Sequence, residues 1–220
     1  SGGTVSGNVA TGDSYDGFGG GMHLAHVNSQ ISGMRLHSNY AIDGGGMHFK
    51  NGDNLIMADS SIFNNSASKG GGLKVWNCLL GPDFTHCAFV ANHANTGEGL
   101  HIDQSYSFPA FDFCLVDQHI HNGDGDSGAA IMVGSGINIF TSKTWLGTNS
   151  QLSEGQGSFA TCGSATDNYC GSYPDDWNDN GVYDWEEIVL GDLLDTDQNW
   201  IPDSFEADSD SSEVVDSGAS

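Results

Sequence analysis

Residues recur in this chain at a nearly constant step. GGGMHLAHV (19–27), GGGMHFKNG (44–52), GGGLKVWNC (70–78) and GEGLHIDQS (97–105) align without gaps, and SGAAIMVGS (127–135) is a weaker fifth copy. With Met22, Met47, Leu73, Leu100 and Ile131 as equivalents, the steps are 25, 26, 27 and 31 residues. A second block recurs between them: MRLHSNYA (34–41), SSIFNNSA (60–67), CAFVANHA (87–94) and CLVDQHIH (114–121). It aligns Asn39, Asn65 and Asn92.

Within each copy apolar residues alternate with others. Met22/Leu24, Met47/Phe49, Leu73/Val75, Leu100/Ile102 and Ile131/Val133 flank His23, His48, Lys74, His101 and Met132. A period of two means short strands with one buried face. Glycines and asparagines supply the positive-φ corners. A unit of about 25 residues cannot bury its apolar face alone, so copies must stack, each strand pairing in parallel with its equivalents. The fold class read from the chain is all-β: a parallel β-helix of about five to six coils, with INIFTSKTWLG (137–147) as the sixth. Leucine-rich repeats need a consensus that is absent, and a β-sandwich would show no fixed period.

The step makes specific demands. Asn39, Asn65 and Asn92 should stack amide on amide. Cys87 and Cys114 share an inward phase with Ile62, Phe89 and Val116, as a disulfide or as stacked buried thiols. His23 and His48 should be neighbours on an outward face with Lys74 and His101. That face reads as an ordinary polar strand surface, since two imidazoles are fewer than a zinc site needs.

The repeat pattern resembles polymorphic outer-membrane-protein-type right-handed β-helices of bacterial surface and secreted proteins. The family's mark is a Gly-Gly-apolar run paired with a Phe-x-x-Asn-type segment, and Phe63-Asn64-Asn65-Ser66-Ala67 comes closest. The resemblance covers about residues 15–135. It implies a right-handed coil and a cell-surface location, and no catalytic residues.

Composition changes near residue 172. The chain has 29 acids against five basic residues and a net charge of −24. Residues 172–220 hold 15 of those acids and no Lys, Arg or His. Such a charge repels nucleic acid and anionic membranes, and divalent cations are its natural counter-ligands. No apolar run is long enough to span a bilayer. The expected organisation is a β-helix over 1–150, a linker loop over 151–172, a calcium-binding module over 173–207 and a disordered acidic tail over 208–220. Cys162 and Cys170, in CGSATDNYC, read as a local disulfide, which with the acidity favours secretion. A start at Ser1 fits a removed leader, as any other truncation would.

Calcium loops place ligands at positions 1, 3, 5, 7 (a carbonyl), 9 and 12, with glycine at 6. DWNDNGVYDWEE supplies Asp176, Asn178, Asn180, Gly181, Val182, Asp184 and Glu187. DTDQNWIPDSFE supplies Asp195, Asp197, Asn199, Ile201, Asp203 and Glu206, but Trp200 replaces the glycine. A bulky residue there strains the turn. The competing reading is a disordered acidic tail, which would not hold five aromatics in and beside the loops. The segment over 175–206 resembles the paired calcium loops of dockerin modules and thrombospondin type 3-like repeats, through Ile201-Pro202-Asp203-Ser204-Phe205-Glu206. The cofactor expected is Ca²⁺.

Asp103, Asp112, Asp117, Asp124 and Asp126 fall in the later coils, but no matched catalytic pair emerges. With a single arginine, acidic-sugar recognition has little cation to draw on. The function expected is that of a secreted or surface structural or adhesive protein, self-associating end to end or through the calcium module. The alternatives are a carbohydrate-binding adhesion module that holds a glycan or surface protein, and, at lower rank, a polysaccharide-active enzyme.

Overall fold

The structure, a computed structural model, describes residues 2–12, 17–103, 109–117, 120–121, 129–133, 140–142, 144–146, 151–154, 169–170, 176, 178, 180, 182, 184–196 and 200–205. The chain divides into two compact units, Ser1–Pro174 and Asp175–Ser220. Cys162, one half of the expected Cys162–Cys170 bridge, and the acidic tail over 208–220 lie outside the described residues.

The first unit is a parallel β-solenoid. Three sheets of ten, six and two strands run along it, with about four turns complete. The six-stranded sheet stacks Met22–Ala25, Met47–Lys50, Leu73–Trp76, Leu100–Asp103, Ala129–Val133 and Gln151–Glu154. Its register is the one demanded by the repeat: Met22, Met47, Leu73, Leu100 and Ile131 face one another in succession. Gln151–Glu154, read from sequence as the start of a linker, continues this sheet through Leu152 opposite Ile131. The outermost strands join a sheet without closing a turn among the described residues, so complete turns are fewer than the five to six coils expected.

The second block forms the ten-stranded sheet. There Leu36 lies opposite Ile62, Ile62 opposite Phe89, and Phe89 opposite Val116. The core lies between the two large sheets, with Met47, Phe49, Leu73, Val75, Leu100 and Ile102 from one and Leu36, Ile62, Phe89 and Val116 from the other. Each such side chain, fully buried, contributes roughly 1.5–3 kcal/mol. Phe84 packs edge-on to Phe89 at 5.2 Å and tilted against Phe111 at 4.8 Å.

The glycine triplet has two separate causes. Gly44 adopts φ +67°, a region costly for any residue with a Cβ. Gly45 adopts no such angle, but a Cβ there would lie 2.3 Å from the Gly71 carbonyl oxygen of the next coil. The first glycine turns the chain and the second lets adjacent backbones meet. The other corners carry larger residues in the left-handed region: His26, Asn51 and Asn77 at one; Ser38, Asn64 and Ala91 at another; Asp59, His86 and Phe113 at a third. Sequence reading gave these corners to glycine and asparagine. In a stacked array each coil's backbone bonds to the coils beside it, and that cooperative ladder holds unfavourable residues in the shared conformation.

Cys87 and Cys114 are free thiols, both buried. Cys87 donates to the Met57 and Thr85 carbonyls, each at 3.4 Å, and Cys114 to those of Phe84 and Asp112 at 3.5 and 3.4 Å. No disulfide is present among the described residues. Burial pushes the Cys87 thiol well up and the Cys78 thiol to about 11, and the thiolate is the reactive form. Peptide-resolved alkylation at pH 8 should therefore leave Cys78, Cys87 and Cys114 unmodified in the native protein and label all three in denaturant. Native labelling of Cys87 at the denatured rate would contradict this packing.

Candidate functional sites

The second unit is ordered around local side-chain bonds. In the first acidic loop the Asn180 backbone N–H donates to Asp176 Oδ1 and Asn178 Oδ1, both at 3.1 Å. The Val182 N–H donates to Asn180 Oδ1 at 2.8 Å. The amides of Asn178 and Asn180 donate to the two carboxylate oxygens of Glu187 at 3.0 and 2.9 Å. The loop thus brings Asn178, Asn180 and Glu187 to one point, with Asp176 tied to the same turn. Val182 is exposed, and Asp184 is buried as the first residue of the helix Asp184–Leu190. Asp184, Glu186 and Glu187 occupy that helix's first turn, where negative charge offsets the N-terminal N–H groups. Gly191, at φ +79°, ends it.

In the second loop Asp195 Oδ2 accepts the Trp200 backbone N–H at 3.0 Å. Asp203 accepts both donors of Thr196, N–H at 2.8 Å and hydroxyl at 2.6 Å. These bonds hold the Asp203 carboxyl below the usual range. Trp200 has φ +70° and is fully buried. The turn thus takes the conformation that position 6 requires, at a cost in strain and with an indole anchored away from water. Ile201 is half-buried; Asp197, Asn199 and Glu206 lie outside the described residues. Among the described residues no group of three or more His, Cys, Asp or Glu is arranged as a metal cluster. The oxygens of the first loop fit a hard cation by type. The amide N–H groups of Asn178 and Asn180 now meet Glu187, so a cation at that point would require the amides to turn their oxygens inward.

A second constellation lies on the solenoid, and sequence reading missed it. Three register columns of adjacent coils converge on it. One runs Phe18, Asp43, Lys69; the next His23, His48, Lys74, His101; the third Ala25, Lys50, Trp76, Asp103. Together they line a cavity of about 260 Å³, walled by Phe18, Asp43, His48, Lys50, Lys69, Lys74, Trp76 and Asp103. Three of the chain's five basic residues meet here.

In the middle column His23 is exposed as alternation suggested, but the three residues after it are not. His48, Lys74 and His101 are 1%, 4% and 7% exposed. The Phe18 ring stacks on His48 at 4.7 Å, and His23 lies 5.0 Å from His48. Nδ1 of His48 and Nδ1 of His101 have no hydrogen-bond partner among the described residues. Burial first, then nearby cations, lowers both imidazoles to about 3, so both are neutral at pH 7. Burial lowers Lys74 to about 8, opposed by Asp43 and Asp103 and assisted by Lys69. The Lys50 ammonium sits 4.5 Å from the Trp76 ring centroid and 5.3 Å from that of Phe18, a geometry attractive to a cation. None of the three ammoniums forms an ion pair within 4.0 Å of a carboxylate among the described residues.

Of the acids singled out in the later coils, Asp103 joins this cavity, whereas Asp112 and Asp117 belong to the ten-stranded sheet. Asp124 and Asp126 lie outside the described residues. The sequence signal that would have found the cavity was available: the repeat alignment places Asp43 beside Lys69, His48 beside Lys74 and Lys50 beside Trp76. Counting cations over the whole chain concealed their convergence.

The first unit is thus a parallel β-solenoid with a mixed-charge cavity beside its six-stranded sheet. No family model matches the chain, and no curated protein or solved structure matches it.

Proposed function

We propose that this chain is a secreted or surface-displayed structural protein whose solenoid associates with further copies, and whose acidic loops fold around Ca²⁺. The observation that carries the reading is a pair of sheet-edge strands among the described residues. Gly3–Ser6 pairs only with Met34–His37, and Met22–Ala25 only with Met47–Lys50, among the described residues. Two strands there carry backbone donors and acceptors along one unpaired side, which is a template for adding another strand. Adding one coil of a second copy continues both sheets in a head-to-tail contact. Negative-stain microscopy with and without Ca²⁺ should show end-to-end assemblies. Monodisperse single particles in both conditions would overturn the reading.

The calcium part rests on the first loop, where Asn178, Asn180 and Glu187 already share one point. Calorimetry should show Ca²⁺ binding, weakened at least tenfold by Asp176→Ala or Glu187→Gln. Saturation at a hundred times the dissociation constant should stabilise the second unit by about 2.7 kcal/mol. Absence of heat, with unchanged stability, would remove Ca²⁺ from the account while leaving the assembly test standing.

A further inference from the structure

We infer that the cavity between Phe18, Lys74 and Trp76 is a binding site for a uronic acid residue: a singly anionic, polyhydroxylated sugar. The inference rests on the first unit alone and requires neither self-association nor Ca²⁺.

Charge gives the first argument. Three ammoniums and two carboxylates, with neutral His48, leave the cavity with a single net positive charge. The chain around it carries −24. Cations gathered in this way act on a ligand's anion at short range and in a partly dry site, where each contact is stronger than in water.

The way the cations are held gives the second. A lysine that served only the fold would normally be solvated or paired with a carboxylate. Lys74 is almost wholly buried and reaches no carboxylate at ion-pair distance among the described residues. Lys50 is positioned by two aromatic rings. Both retain N–H donors for an incoming acceptor. Placing an unpaired ammonium in a largely buried position is costly, and a bound carboxylate would relieve that cost.

The rest of the lining separates a sugar from a bare anion. Asp43 and Asp103 would repel phosphate or sulfate, but a carboxylate accepts strongly from a hydroxyl. Phe18 and Trp76 make part of the lining apolar, which suits the C–H groups of a pyranose. The volume, about 260 Å³, lies near the lower end of small-molecule pockets, which begin at roughly 300 Å³. It therefore suits one sugar ring of a chain rather than a large ligand.

The test uses the full chain and calorimetry with a galacturonic acid tetrasaccharide, the matching neutral galactose tetrasaccharide, and inorganic phosphate and sulfate. The uronate should bind at least tenfold more tightly than the neutral sugar and than either inorganic anion. Lys69→Ala changes an exposed side chain, so it should weaken binding several-fold with an unchanged melting temperature. Lys74→Met and Trp76→Ala should each weaken it at least tenfold. The same chain with Arg35→Ala, a cation outside the cavity, should bind as the unmodified protein does. Equal affinity for the neutral sugar, affinity indifferent to Lys69 and Lys74, or no uronate binding would overturn the inference. Phosphate binding as tightly as the uronate, through the same lysines, would reduce the cavity to a simple anion site and would also overturn it.

Discussion

Asn65→Ala should destabilise the solenoid by about 3–6 kcal/mol, enough to unfold a domain of ordinary stability at moderate temperature. The Asn65 side chain is fully buried and makes four hydrogen bonds. Its Oδ1 accepts from the backbone N–H and the Nδ2 of Asn39, both at 3.0 Å. Its Nδ2 donates to the Leu36 carbonyl at 2.8 Å and to Asn92 Oδ1 at 3.1 Å. Alanine leaves the Asn39 N–H and the Leu36 carbonyl short of a partner inside the protein, where each unmet group costs roughly 1–3 kcal/mol. Asn92 repeats the pattern, donating to the Ile62 carbonyl at 2.8 Å. At the other end of the ladder, Asn8 bonds Asn39 Oδ1 through its N–H and Nδ2, but it is exposed. Asn8→Ala should therefore cost under about 1 kcal/mol. Urea unfolding of the three variants gives the gradient. In a double-mutant cycle Asn65 and Asn92 should couple by about 1 kcal/mol or more, because each alanine already breaks the bond they share. Equal costs at Asn8 and Asn65, or full additivity, would show that the amides stack without sustaining one another.

The ladder was legible in the sequence, and the reason is physical. In a parallel in-register stack one translation relates all coils, so a fixed step assigns partners for every residue at once. Asn39, Asn65 and Asn92 needed nothing more. Asn8 escaped because the segment before residue 12 carries no glycine triplet to set its phase. The same translation explains what was lost. Alternation places His48, Lys74 and His101 off the core side of the strand, and sequence reading sent them to water. Alternation reports which side a residue is on; it does not report what covers that side. Phe18, four residues before the repeat unit's Met22, lies over His48, and that placement comes from a single bridge to Asp43. The loops of the second unit were legible as a ligand pattern, because oxygen spacing is written directly in sequence. The current partners of those oxygens were not: Asn178 and Asn180 aim N–H rather than C=O at Glu187, a choice decided by local hydrogen bonding.

Lowering the pH from 7 to 4 should destabilise the solenoid steeply, through His48 and His101. Burial is the larger cause of the shift at both, followed by neighbouring positive charge: His23, Lys74 and Lys50 for His48, and Lys74 and Lys69 for His101. Both imidazoles fall from 6.5 to about 3 in the folded state. Between those values the unfolded chain binds protons that the folded chain refuses, so stability rises with pH and is lost as pH falls through 6.5 toward 3. At pH 4 each histidine should have removed on the order of 3 kcal/mol, at 1.36 kcal/mol per pH unit. Together that approaches the whole stability of many domains. An opposing effect acts over the same range: protonating carboxylates relieves the self-repulsion of a chain at −24. A variant with both His48→Phe and His101→Phe separates the two. Phenylalanine keeps a flat ring against Phe18 and cannot take a proton. Its ring abandons no hydrogen bond at the unpartnered Nδ1 positions. Urea unfolding between pH 7.5 and 4, followed by circular dichroism, should give a steep fall for the unmodified chain and a shallow or rising profile for the double variant. Parallel profiles would place the acid sensitivity elsewhere in the molecule and would mean that these two rings accept protons while buried.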